Sequence, residues 1–192
     1  MIVIGILGDI GSGKSYVAKS FGCPVFNADF EVSKLYKKEK KIFIKLKKVL
    51  PKYFHSFPII KTEVSKAILA NKSNLNKIVK IVHIEVREKM NKFLNKNKNK
   101  KIVILDVPLL LENNLNNKKD ILVFIQSKKI DILKRLKKRD NFNQKLFNKF
   151  KKIQLPLNYK KKKSHFIIKN NFTRKSVIKD IKTRSEERRV GK

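Results

Sequence analysis

Gly8, Gly11, Ser12, Gly13, Lys14 and Ser15 stand in the spacing G-x-x-x-x-G-K-S, and that set of residue types does one kind of chemistry: it holds phosphates. Glycines let consecutive backbone N–H groups turn inward around an anion without Cβ clashes. Lys14 adds a point charge for β- and γ-phosphates, and the Ser15 hydroxyl is placed to ligate Mg²⁺. Tyr16 is grouped with the loop as a further nucleotide contact. The apolar run Ile2–Leu7 comes before the loop and a helix-like segment after it. Strand, loop and helix start therefore lie in the order that gives the spacing physical meaning, which a chance glycine-rich turn would not do. The chain is expected to bind a nucleoside triphosphate.

Other residues with reactive side chains sit at element ends. Asp29 closes Asn27-Ala28-Asp29, either as a base that takes a proton from an attacking hydroxyl or as the N-cap of a helix starting at Phe30. Asp106 ends a buried apolar run, either holding Mg²⁺ directly or through water, or simply opening the next loop. Glu112 reads equally as a site residue or a surface cap. Arg135 and Arg139 are spaced one helical turn apart, either closing on a transferring phosphoryl group or lying on a solvated basic face. His83, flanked by Val82 and Ile84, reads by itself as a packed histidine. Cys23 reads as a small buried residue, since nothing basic activates it.

These groups need a frame. Short apolar runs at Ile2–Leu7, Pro24–Asn27, Lys101–Val107, Ile121–Ile125 and His165–Ile168 alternate with helical patterns. That alternation predicts an α/β chain of three layers, a P-loop NTPase fold with a parallel sheet covered on both faces. Helices are predicted over 14–21, about 30–50, 62–95 with turns near Asn71–Asn74 and around His83, 128–140, 144–152 and 173–182. The region about 60–100 is expected to be a helical insertion that covers the acceptor, and 128–160 a mobile helical lid. Residues 1–183 are then expected to form a single P-loop domain.

The chain has 192 residues, 41% hydrophobic content, one cysteine and a formal charge of +34. No apolar run is long enough to span a membrane, no signal peptide is expected before the first strand, and a disulfide framework needs a second cysteine. A cytoplasmic protein is expected. The charge comes mostly from Lys, spread along the chain together with Asn and Ile, three residues that share AT-rich codons. Codon bias and a selected polyanion-binding role both account for it, and either way nucleic acid is expected to bind only non-specifically, at low salt. Residues 184–192 (RSEERRVGK) differ from this habit and match one frame of a common sequencing adapter. They are expected to be a non-native tail.

The order of motifs resembles the dephospho-CoA kinase family. The segments that carry the resemblance are Ile6–Ser15, Val25–Asp29, Ile81-Val82-His83, Asp106–Glu112, Leu133–Leu136 with Arg139-Asp140, and Gln154–Leu157 through Lys160 to Phe166–Asn171. The resemblance implies transfer of the ATP γ-phosphoryl group, with Mg²⁺, to the ribose 3′-hydroxyl of dephospho-CoA. It implies Asp29 as the base, Arg135 as the lid arginine near the ATP phosphates, and Arg139 beside it. His83 would open a helix of the CoA-binding region, and Pro108, Leu109, Leu110 and Glu112 would line the acceptor side. Departures from the family pattern fall at Asp9 (usually Gly), Tyr16 (Thr or Ser), Asn27 (Asp), Ile84 (Pro) and Ser164-His165 (Ala-Asp). A kinase for a nucleoside monophosphate or another small hydroxyl substrate, or a basic RNA-associated nucleotide-binding protein, are the alternatives; nothing in the sequence sets the oligomeric state.

Overall fold

The computed structural model describes residues 1–139 and 142–190, apart from the side chains of Lys182 and of 184–190. Asp140 and the expected foreign tail therefore fall outside the described residues, the tail's backbone helix aside. The chain forms two compact units.

The first unit comprises Met1–Asn27, Asn97–Phe142 and Lys151–Lys192. Its strands are β1 (Ile2–Gly8), β2 (Val25–Asn27), β3 (Ile102–Asp106), β4 (Ile121–Gln126) and β5 (Phe166–Lys169). They pair all-parallel in the order β2-β3-β1-β4-β5, so the expected α/β class and parallel sheet hold. Strand alternation divides the faces of β1. Ile4 and Ile6 join Ile104, Val123, Ile125 and Ile168 in one core with Val17 and Ala18 of α1 (Lys14–Ser20) and Val177 of α9 (Arg174–Val190). On the other face Gly5 leaves room for Leu110, whose Cδ2 would lie 2.5 Å from a Cβ at that position. Also in this unit is α6 (Lys129–Lys137), which buries Ile132 and Leu136. Unanticipated from the sequence is α8 (Leu157–Lys162), which packs near β1.

The second unit comprises Ala28–Lys96 and Asn143–Phe150, so the helical part starts well before residue 60. It holds α2 (Ala28–Lys38), α3 (Lys40–Val49), α4 (Lys61–Ala70) and α5 (Lys72–Lys96). The helix predicted over 30–50 breaks at Glu39, which has non-helical φ and ψ. The stripe Leu75, Ile78, Val82, Val86 and Met90 buries one face of α5 at helical spacing, and α2, α3 and α4 all contact that helix. Gln144–Ile153 forms α7, whose Lys149 Nζ donates to Ile68 O at 2.6 Å and Leu69 O at 2.9 Å. This cation satisfies carbonyls at the C-terminus of α4.

Two expectations about these helices change. The turn predicted around His83 is absent, and α5 runs through it without interruption. Ile84 supplies the backbone N–H and lacks the ring by which proline would break the ladder there. Arg139 does not share a helix face with Arg135, because α6 ends at Lys137 and Lys138 is its C-cap. The apolar stripe of α6 has no successor after Leu136, and Phe142 N donates to Arg139 O at 2.9 Å.

Candidate active site

The glycine loop leaves β1 at Gly8 and enters α1 at Lys14. Gly13 is the N-cap of α1 at φ 87°, a backbone region that side-chain-bearing residues avoid. A Cβ there would also overlap Asn170 Nδ2. Gly8 is as constrained, since a Cβ would lie 2.8 Å from both Ile125 O and Ser12 Oγ. Lys14 Nζ arches back over the loop, donating to Asp9 O at 2.7 Å and Gly8 O at 3.3 Å. Its charge is thereby held over the loop. Ser12 is 1% exposed, and its carbonyl takes bonds from Ser127 Oγ and Asn170 Nδ2, both at 2.9 Å. Asp9 turns onto its neighbour, with Oδ1 accepting Ile10 N at 2.7 Å. A carboxylate thus occupies one of the loop's amides. Tyr16 is 42% exposed.

Beside the loop, three strand and helix ends bring together a hydroxyl, an amide and a carboxylate. The parallel register sets Asn27 of β2 opposite Asp106 of β3. Asn27 Nδ2 donates to Asp106 Oδ2 and lies 3.5 Å from Ser15 Oγ. Asp106 is 2% exposed. In the open α/β class, ligands bind at this C-terminal strand edge. Oxygen donors from Ser15 and Asp106 suit Mg²⁺, which takes one or two protein ligands and fills its shell with phosphate oxygens and water. Asn27 pairs with Asp106 without the repulsion a second carboxylate would bring. Sequence reasoning gave Asn27 no such role.

The segment after β3 is held from beneath. Leu110 is fully buried, so it anchors the loop to the sheet; its side chain does not line an open surface. Pro108 and Leu109 are partly exposed. Glu112 Oε1 pairs with Lys160 Nζ at 2.6 Å and accepts Leu155 N at 3.0 Å. Lys160 is 1% exposed, at the far end of the segment expected to be mobile. Hence Glu112 joins the loop after β3 to the start of α8. The burial of Lys160 had no signal in a chain so rich in lysine.

Opposite the loop, Asn170 and Phe172 follow β5. Asn170 Oδ1 accepts Phe172 N at 2.8 Å. The Arg135 guanidinium stacks on the Phe172 ring, 4.4 Å from its centroid, and Arg135 and Arg139 are both exposed. His165, one of the departures, extends the sheet: its N–H donates to Leu122 O at 2.8 Å, and its Nδ1 accepts Leu122 N at 2.9 Å.

In the helical unit, Asp29 lies inside the first turn of α2, exposed to solvent. The helix begins at Ala28 and not at Phe30, so Asp29 is not its N-cap; a carboxylate in the first turn still suits the helix dipole. His83 is half-buried in mid-helix and does not open one, with burial first and the Arg87 charge second holding its pKa below the usual histidine value. Burial pushes the Cys23 thiol up, in keeping with an unreactive side chain.

Comparison with known proteins agrees with this architecture. The dephospho-CoA kinase family model matches residues 2–176. A dephospho-CoA kinase from Wolbachia sp. subsp. Brugia malayi is 34% identical over 186 residues, covering 94% of this chain and 95% of its own. Among solved structures, a Thermus thermophilus protein superposes with a TM-score of 0.78 at 20% identity, covering 97% of both chains. A dephospho-CoA kinase from Campylobacter jejuni gives a TM-score of 0.62 at 20% identity over 96% of each chain. The glycine loop, the all-parallel sheet and a family match running through nearly every element lead to one conclusion: this chain belongs to the dephospho-CoA kinase family.

Proposed function

We propose that this kinase transfers the γ-phosphoryl group of ATP to the ribose 3′-hydroxyl of dephospho-CoA, the last step of CoA synthesis. The observation that carries the reading is the glycine loop with Lys14 arched over it, beside the Ser15, Asn27 and Asp106 cluster. Backbone amides of the Gly8–Gly13 loop, Ile10 N aside because Asp9 holds it, and the Lys14 ammonium cradle the triphosphate. Ser15 and Asp106 would hold Mg²⁺, which offsets phosphate charge when bound. Asp29 takes the proton of the 3′-hydroxyl as its oxygen forms the bond to γ-phosphorus. The bond from γ-phosphorus to the bridging oxygen breaks, and ADP leaves with that electron pair. Arg135 offsets charge on the transferring group, with Arg139 near the nucleotide. His83, Pro108 and Leu109 line the acceptor's side, with Glu112 and Leu110 supporting it from below. Because ATP is its donor, we take the enzyme to act in the cytoplasm; no helix among the described residues is long and apolar enough to cross a membrane.

The test incubates the full chain with ATP, Mg²⁺ and dephospho-CoA and follows CoA by chromatography. CoA formation is expected, and its absence from folded protein would reject the proposal. Asp29→Asn should lower kcat by roughly 10²- to 10⁴-fold, the scale of a general base, and an unchanged kcat would remove Asp29 from the chemistry.

A further inference from the structure

Among the described residues that are not glycine, only Asn114 and Phe172 have positive φ. Asparagine tolerates that region, but a bulky aromatic side chain does not. Phe172, at φ 65°, therefore sits in a conformation that its neighbours must impose, and such outliers persist where the surroundings over-determine them. The neighbours are identifiable. Asn170, 2% exposed, accepts Phe172 N through Oδ1 and donates through Nδ2 to Ser12 O of the glycine loop. Asn171 Oδ1 holds the other side, accepting Thr173 N at 3.1 Å and Thr173 Oγ1 at 2.8 Å. Two amide side chains thus pin the four-residue corner between β5 and α9, one of them directly to the loop.

The corner presents the ring to two partners. Its Cε1 and Cδ1 would lie 3.3 and 3.6 Å from a Cβ at Gly13, so the ring edge closes on the bare backbone of the loop. Arg135 lies over the ring, 4.4 Å from the centroid. No carboxylate among the described residues pairs with this guanidinium. An exposed arginine on a helix samples many rotamers, and ordering it costs side-chain entropy; a planar cation stacked on a ring is already confined.

We infer that Phe172 is a positioning residue for Arg135: the strained corner wedges the ring against Gly13 so that the guanidinium is held beside the phosphate loop before the triphosphate arrives. The inference rests on the proposed role of Arg135 in offsetting phosphoryl charge. It adds that Arg135 performs that role only when the ring orients it.

The experiment compares kcat and the KM for ATP, at saturating acceptor, in wild type, Phe172→Gly, Phe172→Tyr, Arg135→Ala and the double variant Phe172→Gly/Arg135→Ala. Melting temperatures accompany the rates. Glycine adopts φ 65° without strain, so Phe172→Gly should melt no lower than wild type. Its kcat should fall about ten- to hundredfold, the scale of a misplaced group, with the KM for ATP within about twofold. Phe172→Tyr, which retains a ring, should recover most of the rate. In the Arg135→Ala background, removing the ring should change nothing further. A wild-type kcat for Phe172→Gly overturns the inference, as does an equal loss with and without Arg135. An Arg135→Ala variant with unchanged kcat instead refutes the proposed role of Arg135 itself.

Discussion

Replacing Lys160 by methionine strands a buried carboxylate, and the cost can be worked from its surroundings. Lys160 is 1% exposed and Glu112 9%, with 2.6 Å between Nζ and Oε1. Water screens such a pair little. Glu112 Oε2 is buried without a hydrogen-bond partner among the described residues, so without Lys160 only Leu155 N at 3.0 Å still serves this carboxylate. Breaking a buried pair by removing one member costs about 3–5 kcal/mol, whereas replacing both members is often near neutral. For a chain of this length that loss lowers the melting temperature by roughly 6–20 °C. Lys160→Met/Glu112→Gln keeps an oxygen for Leu155 N and removes the stranded charge, so it should recover most of the loss. The assay is urea unfolding at pH 7 with matched m-values. If the single variant loses under about 1 kcal/mol, or the double variant is no more stable than the single, the pair is not the buried ion pair described.

The other predictions concern charge and backbone. Glu85, 5% exposed in its side chain, is paired with Lys41 at 2.6 Å and Lys45 at 3.3 Å, and the Lys41 hydrogen bond first of all holds its pKa below the usual 4.5. A depressed carboxylate stabilises the fold above its unfolded pKa and loses that contribution as pH falls through the folded value. The stability gap between wild type and Glu85→Gln should therefore be widest at neutral pH and close below about pH 4.5, as read by thermal melts across pH; a gap constant from pH 7 to 3 would contradict the pairing. Asp9→Asn keeps the acceptor for Ile10 N but removes a negative charge beside the triphosphate, so the KM for ATP should fall roughly three- to tenfold at low salt, less at high salt. Gly13→Ala adds the strain of φ 87° and an overlap with Asn170, of order 1–3 kcal/mol from the backbone alone. It should lower both the melting temperature and ATP affinity, and a wild-type melt would count against the close approach of Asn170 to the loop.

Much of the architecture was legible because it is written in local patterns. Apolar runs bounded by turn residues located all five strands, and the glycine spacing located the phosphate loop, since both depend on residues adjacent in the chain. Expectations failed where the deciding partner is distant or where one residue type changes the local rule. Ile84 keeps α5 continuous through His83, and the lost apolar stripe ends α6 before Arg139. The family resemblance named Asp106, Glu112 and Arg135 together with their segments, but no spacing states what their side chains touch.

The sequence by itself determined the class of fold and the place of the glycine loop, because strand alternation, helix period and a glycine spacing are properties of short segments. Only the tertiary structure decided the partners: Asn27 across the sheet from Asp106, Lys160 buried on Glu112, and Phe172 wedged between Gly13 and Arg135. The physical reason is burial. Among the described residues one lysine is buried, and one phenylalanine is driven into positive φ, by contacts with residues up to 159 positions away. No local pattern in the chain encodes them.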